Sequence, residues 1–321
     1  MQRYVGVLGV LALVAIAVLL SGDRRRISMR LVLVGIGLQA VLGWLLLAFP
    51  PVVRVIDVAA AGVNGVIRCA DDGTRFIFGE LGVTKDPWGW VFAFRALPVI
   101  VFFASLMGVL YHWGVMQRVI AALAWILRRS LRVTGAEAMA MAANVFVGQT
   151  EAPLCVKPFI ARMTRSQLMA LMTGGFATIA GSVLAAYVAL LGGDDTEMRI
   201  QFAKHLLVAS VMSAPAAFVI AKIMCPETET PPVETLTGGR IKSQTRNVFD
   251  AAAVGATDGL RLALNVGAML VAFVSLLALI NWPIGSLGDW GAIRDWREAN
   301  GIGPFSLQLF LGWLFTPLSW T

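Results

Sequence analysis

The stretch FVGQTEAPLC, residues 146–155, decides how this chain is read. It sets Gln149, Thr150 and Glu151 in a row, with Pro153 two residues later, inside a 321-residue sequence that is 58% hydrophobic and only 14% charged. A soluble domain of this length does not tolerate that balance, and the mean hydropathy of +0.77 agrees. The chain therefore reads as an integral membrane protein, and a carboxylate in such surroundings needs a reason. The apolar runs 4–21, 31–53, 88–110, 168–191, 202–224 and 260–280 are each about the length that crosses roughly 30 Å of hydrocarbon. The expected fold class is an all-α polytopic membrane protein with about six transmembrane helices.

Between the third and fourth runs the pattern changes. Residues 115–133 place Arg118, Arg128, Arg129 and Arg132 on one helical arc and Val119, Leu123, Ile126 and Leu127 on another, which predicts a helix lying on the membrane surface. Thr134 and Glu137 then form an N-capping box that starts a new helix. From Ala136 to Val147 that helix covers roughly 18 Å, little more than half the hydrocarbon. Gly148 frees the backbone and Pro153 favours a second helical start, so 153–163 is expected to return to the side it left. A second capping box, Thr164 with Gln167, opens what reads as the next full span.

Gln149, Thr150 and Glu151 thus fall at the tip of a re-entrant helical hairpin. Non-helical backbone at that depth persists only inside protein or beside a wet cavity. A carboxylate there costs at least about 2.5–3.5 kcal/mol unless partnered, so its default reading is functional. Helix-end carbonyls near Val147, with the Asn144 side chain, suit a small hard cation, while Gln149, Thr150 and Glu151 can hydrogen-bond a polar organic solute. In GGFATIAGSVLAA, residues 174–186, the small residues Gly174, Thr178, Gly181, Ser182 and Ala185 form a face for close backbone approach. Thr178 adds an oxygen at mid-membrane depth.

The formal charge of +7 would suggest nucleic acid in a soluble protein, yet its distribution follows the loops instead. With the N-terminus outside, the clusters at Arg24–Arg26, Arg118–Arg132, Arg162–Arg165 and Lys222–Arg246 share one side, the cytoplasm. No nucleic-acid partner is expected; the lipid bilayer is. Cys69, Cys155 and Cys225 show no metal-ligand spacing, and His112 and His205 stand alone. There is no nucleophile–base pair, phosphate loop or HExxH motif, so the expectation is a protein that is not an enzyme. The segment 56–82 with its ADDGT turn reads as an outer-surface excursion, and 226–237, PETETPPVETLT, as a flexible cytoplasmic connector.

NVFVGQTEAPL, residues 144–154, and ATIAGSVLAAY, residues 177–187, resemble the concentrative nucleoside transporter (CNT) family. FRALPVIVFFASLMGVLYHWGVMQ (94–117), GATDGLRLALNVGAMLVAF (255–273) and FLGWLFTPLSW (310–320) extend the resemblance along the chain. It implies a CNT-like fold and a sodium-coupled importer of nucleosides such as uridine in the cell (inner) membrane. It also implies a homotrimer, with mobile transport domains moving past a scaffold in an elevator-like displacement. Residues 1–113 would be mostly scaffold, 114–224 the first half of the transport domain, 225–247 a cytoplasmic linker, and 248–321 a scaffold helix and the start of the second half. By the same resemblance Gln149, Thr150 and Glu151 meet the nucleoside, with Val183 against the base. Sodium, in preference to a proton, would lie between Asn144, the carbonyls of Val147 and Ile179, and Thr178. Family members continue into a second hairpin and an Asn-Glu-Phe helix, so the fold is expected to be incomplete at the C-terminus. The alternative is a shortened membrane protein that binds nucleosides or gates without transporting them.

Overall fold

A computed structural model describes residues 2–82, 91–149, 152–229 and 245–319. The described residues are helical and contain no strand. In chain order they form α1 (Gln2–Leu19), α2 (Met29–Ala48), α3 (Pro50–Phe78), α4 (Phe92–His112), α5 (Val115–Leu131), α6 (Gly135–Val147), α7 (Lys157–Ile160), α8 (Arg165–Ala177), α9 (Gly181–Gly192), α10 (Thr196–Met224), α11 (Val248–Gly288), α12 (Gly291–Ala299) and α13 (Leu307–Ser319). Among the described residues five stretches are long and apolar enough to span a membrane: α2, α4, α8 with α9, α10 and α11. Leu8–Leu19 of α1 is a further, shorter apolar helix. The architecture is that of an all-α, multi-pass membrane protein.

Several expected elements take different bounds. The run 31–53 was expected to be one span, but α2 stops at Ala48 and Pro50 opens α3, because consecutive prolines cannot continue a helix yet are pre-set for a first turn. The expected surface excursion 56–82 is mostly this helix. Ala60, Asn64, Ile67, Ala70 and Thr74 recur at helical spacing and are buried, so packing of that face overrides the ADDGT turn residues. In α5 the buried stripe is Met116, Ile120, Ala124, Leu127 and Leu131, while Val119 and Ile126 are exposed. The apolar face is therefore rotated from the expected arc toward α6. At 41 residues α11 extends well past 260–280 at both ends.

Residues 17–263 form one compact unit; residues 1–16 with 264–321 form another. In the larger unit, Ile120, Leu127, Met141 and Phe218 join α5, α6 and α10 in one cluster, and Ile67, Val99, Leu184 and Val188 join α3, α4 and α9 in a second. Nearly every position of α6 is buried, as expected for a helix apolar all round. The smaller unit is fixed by Asn281, which donates to Gln308 Oε1 at 2.8 Å and accepts from the Leu307 amide at 2.8 Å.

Candidate functional site

The hairpin is set from its base. The Thr134 amide donates to Glu137 Oε2 at 3.0 Å and the Glu137 amide to Thr134 Oγ1 at 3.5 Å, the reciprocal cap expected from the sequence. Helix α6 then runs 13 residues, about 20 Å, and ends at Gly148. The Ala152 amide donates back to the Gly148 carbonyl at 3.1 Å. On the return, Val156, Phe159, Ile160 and Met163 pack with Ala136, Met139 and Ala140, so the chain comes back along α6 to its start. The expected second half-helix over 153–163 is only partly α-helical: a 3₁₀ segment covers Ala152–Val156 and α7 just Lys157–Ile160. Pro158 is the physical reason, since it lacks the amide hydrogen that would bond the Leu154 carbonyl and is suited to a first turn, so the α-helix starts afresh at Lys157.

A second broken backbone faces this tip. The stretch 168–191, expected to be one full span, is two helices, α8 and α9, separated by extended backbone at Thr178 (φ −117°, ψ 155°) and by Ala180. The small residues of 174–186 consequently do not form one continuous helical face. They admit the tip instead. A Cβ on Gly148 would stand 2.6 Å from that of Ala180; one on Gly175 would stand 2.8 Å from Gln149 Cβ; one on Gly181 would stand 3.0 Å from the Phe146 carbonyl. Only glycine allows these approaches.

Asn144 lies between the two breaks and is 1% exposed. Its amide satisfies both ends when Nδ2 donates to the Gly148 carbonyl at 3.2 Å and Oδ1 accepts from the Gly175 amide at 3.3 Å, the orientation the surroundings demand. Thr178 Oγ1 donates to the Gly174 carbonyl at 2.8 Å, which leaves its lone pairs as acceptors. The C-terminus of α6 and the C-terminus of α8 thus end close together, and each helix end carries carbonyl-rich partial negative charge. Neutral side-chain oxygens beside two such ends suit a hard monovalent cation. Among the described residues no group of three His, Cys, Asp or Glu could hold a metal ion.

Of the residues singled out in the sequence, Asn144, Val147 and Thr178 are buried, Ile179 and Val183 are half-buried, and Gln149 is exposed at the tip. Thr150 and Glu151 lie outside the described residues. The close contacts draw Asn144, Thr178 and the segments around Gly148 and Ala180 into one neighbourhood. The sequence reading missed Gly175 and Ala180 as tip contacts; the Gly174-Gly175 pair, set against Gly181, was the available signal.

A model described as the N-terminus of Na+ dependent nucleoside transporters matches residues 8–81, one described as nucleoside recognition matches 93–194, and the Na+ dependent nucleoside transporter C-terminus matches 205–321. The chain is 43% identical over 314 residues to an uncharacterized transporter of Haemophilus influenzae, covering 98% of this chain and 71% of that one.

The chain belongs to the concentrative nucleoside transporter family.

It is also 37% identical over 289 residues to sodium/nucleoside cotransporter 2 of Rattus norvegicus, covering 90% of this chain and 42% of that protein. Among solved structures it resembles CNTnw in an inward-facing, substrate-bound state, with TM-score 0.86, 43% identity, and coverage of 100% of this chain and 72% of that one. A CNT protein is a nucleoside transporter of the membrane and not an enzyme, in keeping with the spanning helices.

Proposed function

We propose that this CNT chain carries a sodium-coupled nucleoside import site where the hairpin tip meets the α8–α9 break. The observation that carries the reading is the convergence of the α6 and α8 C-termini on buried Asn144 and Thr178. In it, Asn144 Oδ1, Thr178 Oγ1 and the carbonyls of Val147 and Ile179 hold sodium. All are uncharged oxygens, which favours a monovalent cation that must be released on every cycle over a tightly held divalent one. Gln149, Thr150 and Glu151 take the hydrogen-bonding groups of a nucleoside such as uridine, and Val183 offers an apolar contact to the base. Because the cation ties the end of α6 to the start of α9, it orders the tip before the nucleoside arrives, which is a physical basis for coupling. Residues 114–224 are the mobile part, 1–113 mostly scaffold, and the working assembly is a homotrimer whose transport domains move independently.

The test is uridine uptake by the protein in proteoliposomes under an imposed sodium gradient. Uptake should follow the gradient and collapse in Glu151→Gln. Uptake indifferent to sodium would remove the coupling, and a fully active Glu151→Gln variant would remove the tip from the substrate site.

A further inference from the structure

A second polar centre lies at the opposite end of α6 from Gly148. A cavity of about 260 Å³ opens where the α1–α2 connection, the end of α5 and the end of α10 meet. Both α2, which starts here, and α10, which ends here, are spanning helices, so the cavity sits at the depth where hydrocarbon gives way to lipid headgroups. Its walls include Arg26, Arg30 and Arg132, and beneath them Lys222 lies between Glu137 and Glu227.

The charges are segregated. Arg30 and Arg132 are exposed, and their side chains have no hydrogen-bond or ion-pair partner among the described residues. Arg132 is moreover the one non-glycine residue among those described with a left-handed backbone, φ 54°. Its conformation turns the chain sharply from α5 into Thr134 at the cavity wall. Below, one lysine meets two carboxylates, a net negative floor. Glu227 Oε2 accepts from Thr164 Oγ1 at 3.0 Å and from Lys222 Nζ at 3.3 Å, whereas its Oε1 is buried and has no hydrogen-bond partner among the described residues. A positive-inside bias explains arginines at a membrane surface, but not a carboxylate oxygen buried without a donor beneath them.

A ligand matching this arrangement has an anion for the arginines and, a short distance away, a cationic hydrogen-bond donor for Glu227. We infer that the cavity binds the headgroup of an aminophospholipid of the phosphoethanolamine type. The phosphodiester lies between Arg30 and Arg132, and the primary ammonium donates to the Glu227 carboxylate, whose side chain lines the cavity. A choline headgroup fits the phosphate but has no N–H to donate. Val119, Trp125 and Ile126 of α5 are exposed, apolar and aromatic side chains suited to acyl chains and the interface.

The experiment is native mass spectrometry of the delipidated protein, titrated separately with phosphatidylethanolamine, phosphatidylglycerol and phosphatidylcholine, and with inorganic phosphate as competitor. The unmodified protein should retain phosphatidylethanolamine over phosphatidylcholine by roughly tenfold, the effect of one added charge-assisted hydrogen bond. Arg30→Ala with Arg132→Ala should weaken retention of every phospholipid by roughly thirtyfold. Glu227→Gln should reduce phosphatidylethanolamine to the phosphatidylcholine level and leave the latter unchanged. Should Glu227→Gln fail to fold, competition by soluble phosphoethanolamine against phosphocholine on the unmodified protein asks the same question. Equal retention of the two lipids, indifference to the arginine substitutions, or binding of inorganic phosphate without any lipid preference would each overturn the inference.

Discussion

Gly148 and Ala180 hold two interrupted helices at contact distance: a Cβ on Gly148 would stand 2.6 Å from that of Ala180. Gly148 also has φ 84° and ψ 177°, a region that is essentially glycine's alone. Gly148→Ala therefore meets two penalties at once, backbone strain of about 1–3 kcal/mol and a steric clash that must push the tip away from α9. Uridine uptake should fall at least tenfold with the protein still correctly inserted. Uptake within twofold of the unmodified protein would show that this contact does not shape the site.

Asn144 acts on the same junction through its amide, which reaches both the Gly148 carbonyl and the Gly175 amide. Asn144→Ala removes an oxygen of the proposed cation site and leaves two buried backbone groups without that partner, a loss of about 1–3 kcal/mol. The sodium concentration for half-maximal uptake should rise about tenfold or more, with a smaller change in uptake at saturating sodium. A sodium titration of uptake separates the two. An unchanged half-saturation point would remove Asn144 from the cation site.

What the sequence made legible was the local chemistry. The capping boxes at Thr134 and Thr164 depend on residues three apart, and both occur as read. The hairpin followed from Gly148 and from a helix too short to span. The α8–α9 break was hidden because no proline marks it. Thr178 through Ala180 are compatible with a helix, and the interruption is set by tertiary contact with the hairpin tip. For the same reason Gly175 reads as ordinary small-residue packing until Gln149 is seen 2.8 Å from its would-be Cβ. The long amphipathic α3 was missed because its polar residues spread over a face whose partners, Lys204 against Asp57 and Arg199 against Asp71, lie more than a hundred residues away.

Asp71 belongs to that ionic face on α3, which is not among the spanning helices. Burial raises its pKa above the usual 3.8, with Arg199 at 3.3 Å opposing the shift. A carboxyl whose folded pKa lies above its unfolded value keeps a proton that the unfolded chain has already released. Its contribution is greatest below pH 3.8 and declines as pH rises through the folded pKa. Thermal melts across that window should show this decline in the unmodified protein and a flatter profile in Asp71→Asn. A steeper decline in the variant would reverse the sign.

The ion pair between Lys222 Nζ and Glu137 Oε1, 2.5 Å apart, joins the last turn of α10 to the base of the hairpin. Their side chains are 9% and 2% exposed, so each charge depends largely on its partner. Gln167 Nε2 donates to Thr134 Oγ1 at 3.1 Å, so the same cluster also ties the two capping boxes together. Lys222→Met leaves Glu137 buried without its counter-charge, and Glu137→Gln leaves Lys222 with Glu227 alone; breaking such a pair costs about 3–5 kcal/mol. The Glu137→Gln and Lys222→Met double variant leaves neither member of the pair charged, and Glu227, 26% exposed, keeps Thr164 Oγ1 as a donor, so it should recover part of the loss, as coupling between contacting residues requires. Thermal melts of the four proteins give the coupling directly. The hairpin tip lies about 20 Å from this pair along α6 and is left intact, so uptake should track the folded fraction across the series. If the single losses simply add in the double variant, the pair does not act as a unit.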